Sequence, residues 1–546
     1  MSVESGIRLA LYPLLIMTLT ACAFSQSPQP ATDFGIMPSF GAKTGFEWRT
    51  STPESQGIDS DDLTGILRRA ARQGINLHGL IIYRNGHVIL EAYPPPYDAQ
   101  TAHNIKSVSK SLLSALVGIA IDKGIVSNVD LRISALFPEY FDAERHPGKQ
   151  ELSLHHLLTM TSGLDLDENG PRMNAVFNSN DWIGATLQRP LVAPPGQRFV
   201  YSTALTHLIS GLLSRASQES LLNLCQRYLC GPLGFENLHW QTGPSGYNFG
   251  GAELYLRLRD MLKLGVLYLN GGLWQGRQLL SSEWIQASTR NQLPNGVDEQ
   301  PYGYLWWPVN DGYKAVGWGG QRLLIIPGKR LVIAATFANP NGFERIFEGF
   351  DISKLANAPL APNPSAVNNM HEALQSLQHP QPWPVAPLPP VAHKISGKTF
   401  TLSGRGETSV IKRIGFNFSV TNHHSFSIDW GEGNRHLALG LDNNFRITPT
   451  GRYGRLPDNN RFALRGRWID TDTLVLELVP VGEPLHLELT LTFQGELVMI
   501  KARLNPKGRE INLLGRLSQI SGFHWDKRAK ASLQNKLSCA ADPLPV

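Results

Sequence analysis

Ser107 and Lys110 stand three residues apart in the run NIKSVSKSLLSALVGIA, residues 104 to 120. A hydroxyl beside an amine is a direct way to turn serine into a nucleophile. Val108, Leu112, Leu113, Ala115, Leu116 and Ile119 surround the lysine, so the run reads as a helix buried on most sides. Positions i and i+3 share a helix face, which places Ser107 near the Lys110 amine at the N-terminal end. A buried ammonium needs compensation or loses its proton, and a neutral lysine there is a general base for the serine. The helix N-terminus adds backbone N–H groups and a dipole that favour developing negative charge.

Ser-x-x-Lys alone is a weak signal, expected about twice by chance in a chain of this length. A second copy, Ser409 and Lys412, lies in a β-patterned segment, where i and i+3 fall on opposite faces. Four segments further along the chain give the first copy its weight, by their order and spacing. They are LHHLLTMTSGLD (154–165), PPGQRFVYSTALTHLISGLL (194–213), LRLRDMLKLGVLYLNGG (256–272) and VGWGGQRLLIIP (316–327).

Together these segments resemble the β-lactamase-related serine hydrolase family, which includes class C β-lactamases, penicillin-binding-protein-type DD-peptidases, esterases and 6-aminohexanoate-dimer hydrolases. The look is most like the last group. The resemblance covers about residues 48 to 350. It implies a β-lactamase/transpeptidase-like α/β sheet with a helical subdomain, and ester or amide hydrolysis through an acyl-serine without metal or organic cofactor. Carried over by position, Ser107 is the nucleophile, Lys110 its base and Tyr201 the group that returns the proton to the leaving group. Independently of position, a phenol near an ammonium can have a lowered pKa. Trp318-Gly319-Gly320 falls where relatives place Lys/His-x-Gly on the strand lining the cleft. Gln321 then donates its backbone N–H to the oxyanion together with Ser107. Two positions depart from the pattern: Thr203 replaces an asparagine, and Trp318 replaces a cation that would attract a carboxylate. Neutral esters or amides are therefore expected ahead of β-lactams or D-Ala-D-Ala peptides. β-Lactamase or DD-peptidase activity is the alternative within the family. A non-catalytic envelope scaffold retaining the fold is the alternative outside it.

The elements that must position these residues are legible in outline. DSDDLTGILRRAARQ reads as a helix, and HGLIIYRNGHVILEAY as a hairpin turning at Asn85-Gly86. Residues 125–290 are mostly helical. YGYLWWPV and GGQRLLIIPGKRLVIAATF return to strands around a PGK turn, giving a sheet of sequence-distant strands with a helical block between them. Trp306 and Trp307 point to opposite faces of their strand, one of them a candidate pocket wall. His103 could touch the cleft. Adjacent His155 and His156 diverge by about 100° on a helix, unlike metal ligands.

The remaining organisation is a signal peptide (1–21), a flexible tether (22–47), the hydrolase domain (48–355) and a Pro-rich linker around one short helix (356–393). A separate all-β barrel or sandwich (394–520) comes next, with a tail (521–546). In the β domain Leu485, Leu487, Leu489, Leu491 and Phe493 alternate at period two. The segment LTAC ending at Cys22 resembles a lipobox, with no aspartate at the next position. That implies a lipid anchor in the bacterial cell envelope, on the outer membrane and facing the periplasm. The net charge of +5 and the absence of a Lys/Arg run argue against a nucleic-acid partner. Cys225 and Cys230, five apart in a helical stretch, read as buried free thiols.

Overall fold

The computed structural model describes residues 46–517 apart from 73, 142–146, 295–299, 404–410, 419–422, 430–432, 450–460 and 506–508. The signal segment, Cys22, most of the tether, Ser409 and the C-terminal tail lie outside the described residues.

Six antiparallel strands form the central sheet. From one edge to the other they are His87–Ala92, Leu77–Arg84, Leu331–Phe337, Gln321–Ile326, Gly312–Gly317 and Trp307–Val309. The first hairpin turns at Asn85 and Gly86, both at positive φ (50° and 89°), as a tight two-residue turn requires. The strands Leu77–Arg84 and Leu331–Phe337 are buried along their whole length, because helices cover both faces of the sheet.

On one face pack Ser60–Ala70 and Pro364–Gln378, around Leu63, Ile66, Leu67, Met370 and Leu377. The second of these helices corrects the linker assigned to 356–393. Its 15 residues belong to the hydrolase domain, held there by an apolar stripe. The helix Pro390–Ile395 buries Ala392 and Ile395 in the other domain's core. On the opposite face lie Val108–Asp122, Leu258–Leu269 and the helical block between them.

Cys225 and Cys230 form a disulfide, with Cα atoms 5.2 Å apart. This overturns the reading of free thiols. Residues Gln226–Cys230 wind as a π-turn rather than an α-helix, and its i→i+5 closure brings residues five apart onto one side.

The C-terminal domain is a ten-stranded antiparallel sheet, nearly closed into a barrel. Its end strands Asn434–Leu439 and Arg446–Pro449 are joined in sequence, and Gly440 bridges Arg465 across the gap. Leu489, Leu491 and Phe493 point into its core with Phe400, Phe416 and Phe426, as their period-two spacing anticipates.

Candidate active site

Ser107 caps the N-terminus of the helix Val108–Asp122. The residue before it, Lys106, has φ +49°, a left-handed conformation that costs a non-glycine residue about 1–3 kcal/mol. Neighbouring groups hold it there. The Lys106 N–H donates to Asn104 Oδ1 at 3.1 Å, and its ammonium pairs with Glu253 at 3.0 Å and Glu483 at 3.2 Å. Burial works to lower the Lys106 pKa, but the two carboxylates outweigh it and hold the group above its ordinary value.

Lys110 is 1% exposed, and its Nζ has three oxygen neighbours. These are Ser107 Oγ at 2.8 Å, Thr203 Oγ1 at 2.9 Å and the Gly251 carbonyl at 2.9 Å. The Thr203 hydroxyl has one hydrogen, and Glu168 Oε1 receives it at 2.6 Å. Thr203 Oγ1 must then accept from Lys110, as the Gly251 carbonyl must. Those two bonds use both N–H groups of a neutral amine and leave its lone pair facing Ser107. Burial lowers the Lys110 pKa to about 8, against the opposing pull of the Glu168 carboxylate.

Glu168 is seated at the N-terminus of the 15-residue helix Thr203–Ser217 and also accepts the Thr203 N–H at 2.7 Å, a favourable place for negative charge. Burial raises its pKa, while Lys110 and the Thr203 bonds pull it down. Thr203, read from sequence as a departure, thus bonds the lysine directly and links it to a carboxylate.

Tyr201 lies across the amine, with Lys110 Nζ 5.0 Å from the ring centroid. Its pKa is raised, first by burial and then by the Glu168 charge, against a hydrogen bond with Ser107. The lowered phenol expected from sequence is therefore overturned: lost solvation and the Glu168 charge together outweigh the hydrogen bond with Ser107. Such a phenol stays protonated at neutral pH and can act as a proton donor.

The strand Gly312–Gly317 brings the opposite wall. A Cβ built on Gly317 would stand 2.5 Å from the Ile105 carbonyl oxygen, so only glycine lets this strand approach the Ser107 turn so closely. Trp318, Gly319 and Gly320 do not continue the strand, as the sequence reading had them. They form the hairpin turn leading to Gln321–Ile326, with Gly319 and Gly320 at φ +86° and +101°. The Gln321 side chain turns to the neighbouring strand, where Nε2 donates to the Phe337 carbonyl at 2.8 Å.

These parts enclose a cleft of about 740 Å³ lined by Ser107, Glu168, Tyr201, Thr203, Trp307 and Trp318–Gly320, among others. Trp307 stacks on Tyr201 at 6.0 Å and is the pocket tryptophan, whereas Trp306 is core. Lys314 and Arg322 also line the cleft. Arg322 is paired with Glu344 at 2.6 Å. Cationic groups are thus present even though residue 318 is not one. His103 is buried against His78 at 2.7 Å. His156 closes a capping box with Ser153, and His155 bonds Tyr304.

A family model described as beta-lactamase matches residues 66–352, more than half of the 546 residues. The chain belongs to the beta-lactamase family. Among relatives, it is 21% identical over 311 residues to the 6-aminohexanoate-dimer hydrolase of Paenarthrobacter ureafaciens, covering 51% of this chain and 78% of that one. It is 23% identical over 303 residues to an uncharacterised protein of Alkalihalophilus pseudofirmus, covering 48% and 85%. It is also similar to the crystal structure of a penicillin binding protein from Bacillus halodurans, with TM-score 0.42, 16% identity and coverage of 53% and 98%. The beta-lactamase-family region is a hydrolase domain, and the barrel lies outside the matched residues. Sequence reasoning missed Lys106, Glu168, Gly251, Glu253 and Glu483 in this site. Each is an ordinary loop residue in its own segment, and nothing local marks it.

Proposed function

We propose that this beta-lactamase-family hydrolase cleaves a small ester or amide through an acyl-serine intermediate on Ser107. The observation that carries the reading is the contact of Lys110 Nζ with Ser107 Oγ at 2.8 Å; in the neutral amine Thr203 and Gly251 take the two N–H groups and the lone pair is left for that hydroxyl. Ser107 Oγ attacks the carbonyl carbon while its proton passes to Lys110. The oxyanion is held by the backbone N–H groups of Ser107 and Gln321. Tyr201 delivers a proton to the departing alkoxide or amine and is reprotonated from Lys110. Water then attacks the acyl-serine, giving up a proton to the same pair, and releases the acid with Ser107 restored. Trp307 and Trp318 give the cleft flat apolar walls, which suit an uncharged acyl group.

The pH profile tests the base assignment. Below the Lys110 pKa the amine is protonated and cannot accept, so kcat/KM is expected to rise with pH along a limb centred near 8. The Glu168 carboxylate stabilises the ammonium and holds that pKa up. Glu168→Gln removes this charge, so the limb should move to lower pH. A limb that stays in place or moves upward would sink the assignment.

We infer for the whole chain a lipid anchor at Cys22, on the outer membrane and facing the periplasm. The LTAC segment supports this, and the Cys225–Cys230 disulfide fits an oxidising compartment. Cys22→Ser is expected to move the protein from the membrane fraction to the soluble fraction. Unchanged membrane retention would contradict the anchor.

A further inference from the structure

Among the described residues, the barrel domain meets the turns that frame the cleft through the connection between the strands Thr473–Pro480 and His486–Gln494. The Gly482 carbonyl accepts the Asn104 N–H at 2.7 Å. Glu483, 2% exposed, is the centre of a buried polar cluster. It pairs with Lys106 at 3.2 Å, accepts from Asn104 Nδ2 at 3.3 Å and receives the Tyr255 hydroxyl. The next residue, Pro484, meets the opposite wall: a Cβ on Gly319 would stand 2.6 Å from it. One short connection therefore touches both the turn that presents Ser107 and the turn after Gly317.

The same cluster extends to the general base. Glu253 also binds Lys106, at 3.0 Å, and Asn104 Nδ2, at 2.9 Å. Two residues before it, Gly251 takes the Lys110 amine. Lys106 sits at φ +49°, a conformation that persists only when its surroundings over-determine it. Within the hydrolase domain Glu253 supplies one carboxylate, and the second comes from the barrel.

We propose that Glu483 is a positioning residue: from the barrel domain it clamps Lys106 in its left-handed conformation and so fixes the Ser107 backbone N–H and hydroxyl for reaction. The barrel is in this sense part of the hydrolytic site, although none of its described residues lines the cleft. The proposal rests on Ser107 as nucleophile only for its kinetic consequence; the clamp itself can be read without turnover.

The test uses the full-length chain and two measurements. Glu483→Gln keeps the shape and removes the charge. Hydrogen exchange of the peptide spanning residues 104–113 should accelerate about tenfold, with the sheet peptide 321–337 unchanged. The rate constant for labelling by a fluorophosphonate should fall about 10- to 100-fold, with every site still labelled at long times. A merely structural role would instead lower the labelled fraction and leave the rate of the remainder unchanged, and that result would overturn the proposal. In a Lys106→Gln background Glu483→Gln should add less than about twofold, since the two act as one unit; additive losses would also overturn it. Faster exchange with an unchanged rate of labelling on Ser107 would overturn the positioning role, whereas an adduct mapped to another residue would overturn the nucleophile assignment and leave the clamp to be read from exchange alone. If Glu483→Gln does not fold, Glu483→Asp decides. It retains the charge with a shorter reach, and wild-type exchange together with wild-type labelling in that variant would refute the clamp.

Discussion

Lys110→Ala is expected to remove turnover about as completely as Ser107→Ala, by about 10³-fold or more. The reason lies in the oxygen neighbours of Nζ. Gly251 and Thr203 each take one N–H at 2.9 Å, and Ser107 Oγ at 2.8 Å faces what remains. Among the described residues, no other group placed beside Ser107 combines basicity near neutral pH with that geometry. Tyr201 is held protonated by burial and by the Glu168 charge. Glu168 reaches Lys110 through Thr203. Without the amine, Ser107 keeps its proton, and the unactivated hydroxyl is a poor nucleophile. Lys110→Ala also leaves the Gly251 carbonyl and Thr203 short of a donor, so thermal unfolding should be recorded alongside kcat. A folded Lys110→Ala protein that keeps most of its turnover of a short-chain ester would show that another group takes the proton.

Gly317→Ala should cost about 100-fold in kcat while leaving the fold assembled. Its Cβ would stand 2.5 Å from the Ile105 carbonyl oxygen, and a backbone oxygen cannot rotate away as a side chain could. The strand Gly312–Gly317 must then withdraw from the Ser107 turn by part of an ångström. In the proposed mechanism the Ser107 turn carries one oxyanion donor and Gln321, the partner of Gly317 across the hairpin, carries the other, and a misplacement on the order of 1 Å can cost about 10² in rate. Gly317 is the last residue of its strand, so the sheet interior need not move. The comparison is kcat against circular dichroism and thermal midpoint for both proteins. Wild-type kcat in the alanine variant would show that this close approach has no catalytic role.

Local patterns carried much of the fold. The Asn85-Gly86 turn, the buried strands on either side of the PGK turn and the alternating strands of the barrel each arise from spacing within a few residues. A short helix among the prolines was legible, but not that Pro364–Gln378 belongs to the hydrolase domain, because its place there depends on packing against Ser60–Ala70, some three hundred residues earlier in the chain. The disulfide was hidden by a backbone choice: an α-helix separates positions five apart, whereas the π-turn Gln226–Cys230 closes them.

The site divides in the same way. Ser107 and Lys110 share one helical turn, so their contact is legible from the spacing. Tyr201 and Thr203 became visible through the order of the motifs. Glu168 could not be read, because its only mark is a contact with Thr203 across 35 residues. Glu483 was less visible still, since it arrives from another domain to a lysine 377 positions earlier. The direction of the Tyr201 shift was misjudged for a related reason. The nearby lysine could be inferred from motif positions, but the depth of burial and the Glu168 carboxylate that raise the phenol are properties of the assembled cleft.

The central claim, that Ser107 is a nucleophile activated by Lys110, is tested most directly by a fluorophosphonate reaction with peptide mapping of the adduct, run in parallel on wild type and Lys110→Ala. The expected result is a single adduct on Ser107 in the wild-type protein, with labelling in the variant slower by about 10³-fold. A folded wild-type protein that takes no label, or one labelled at another residue, would contradict the claim.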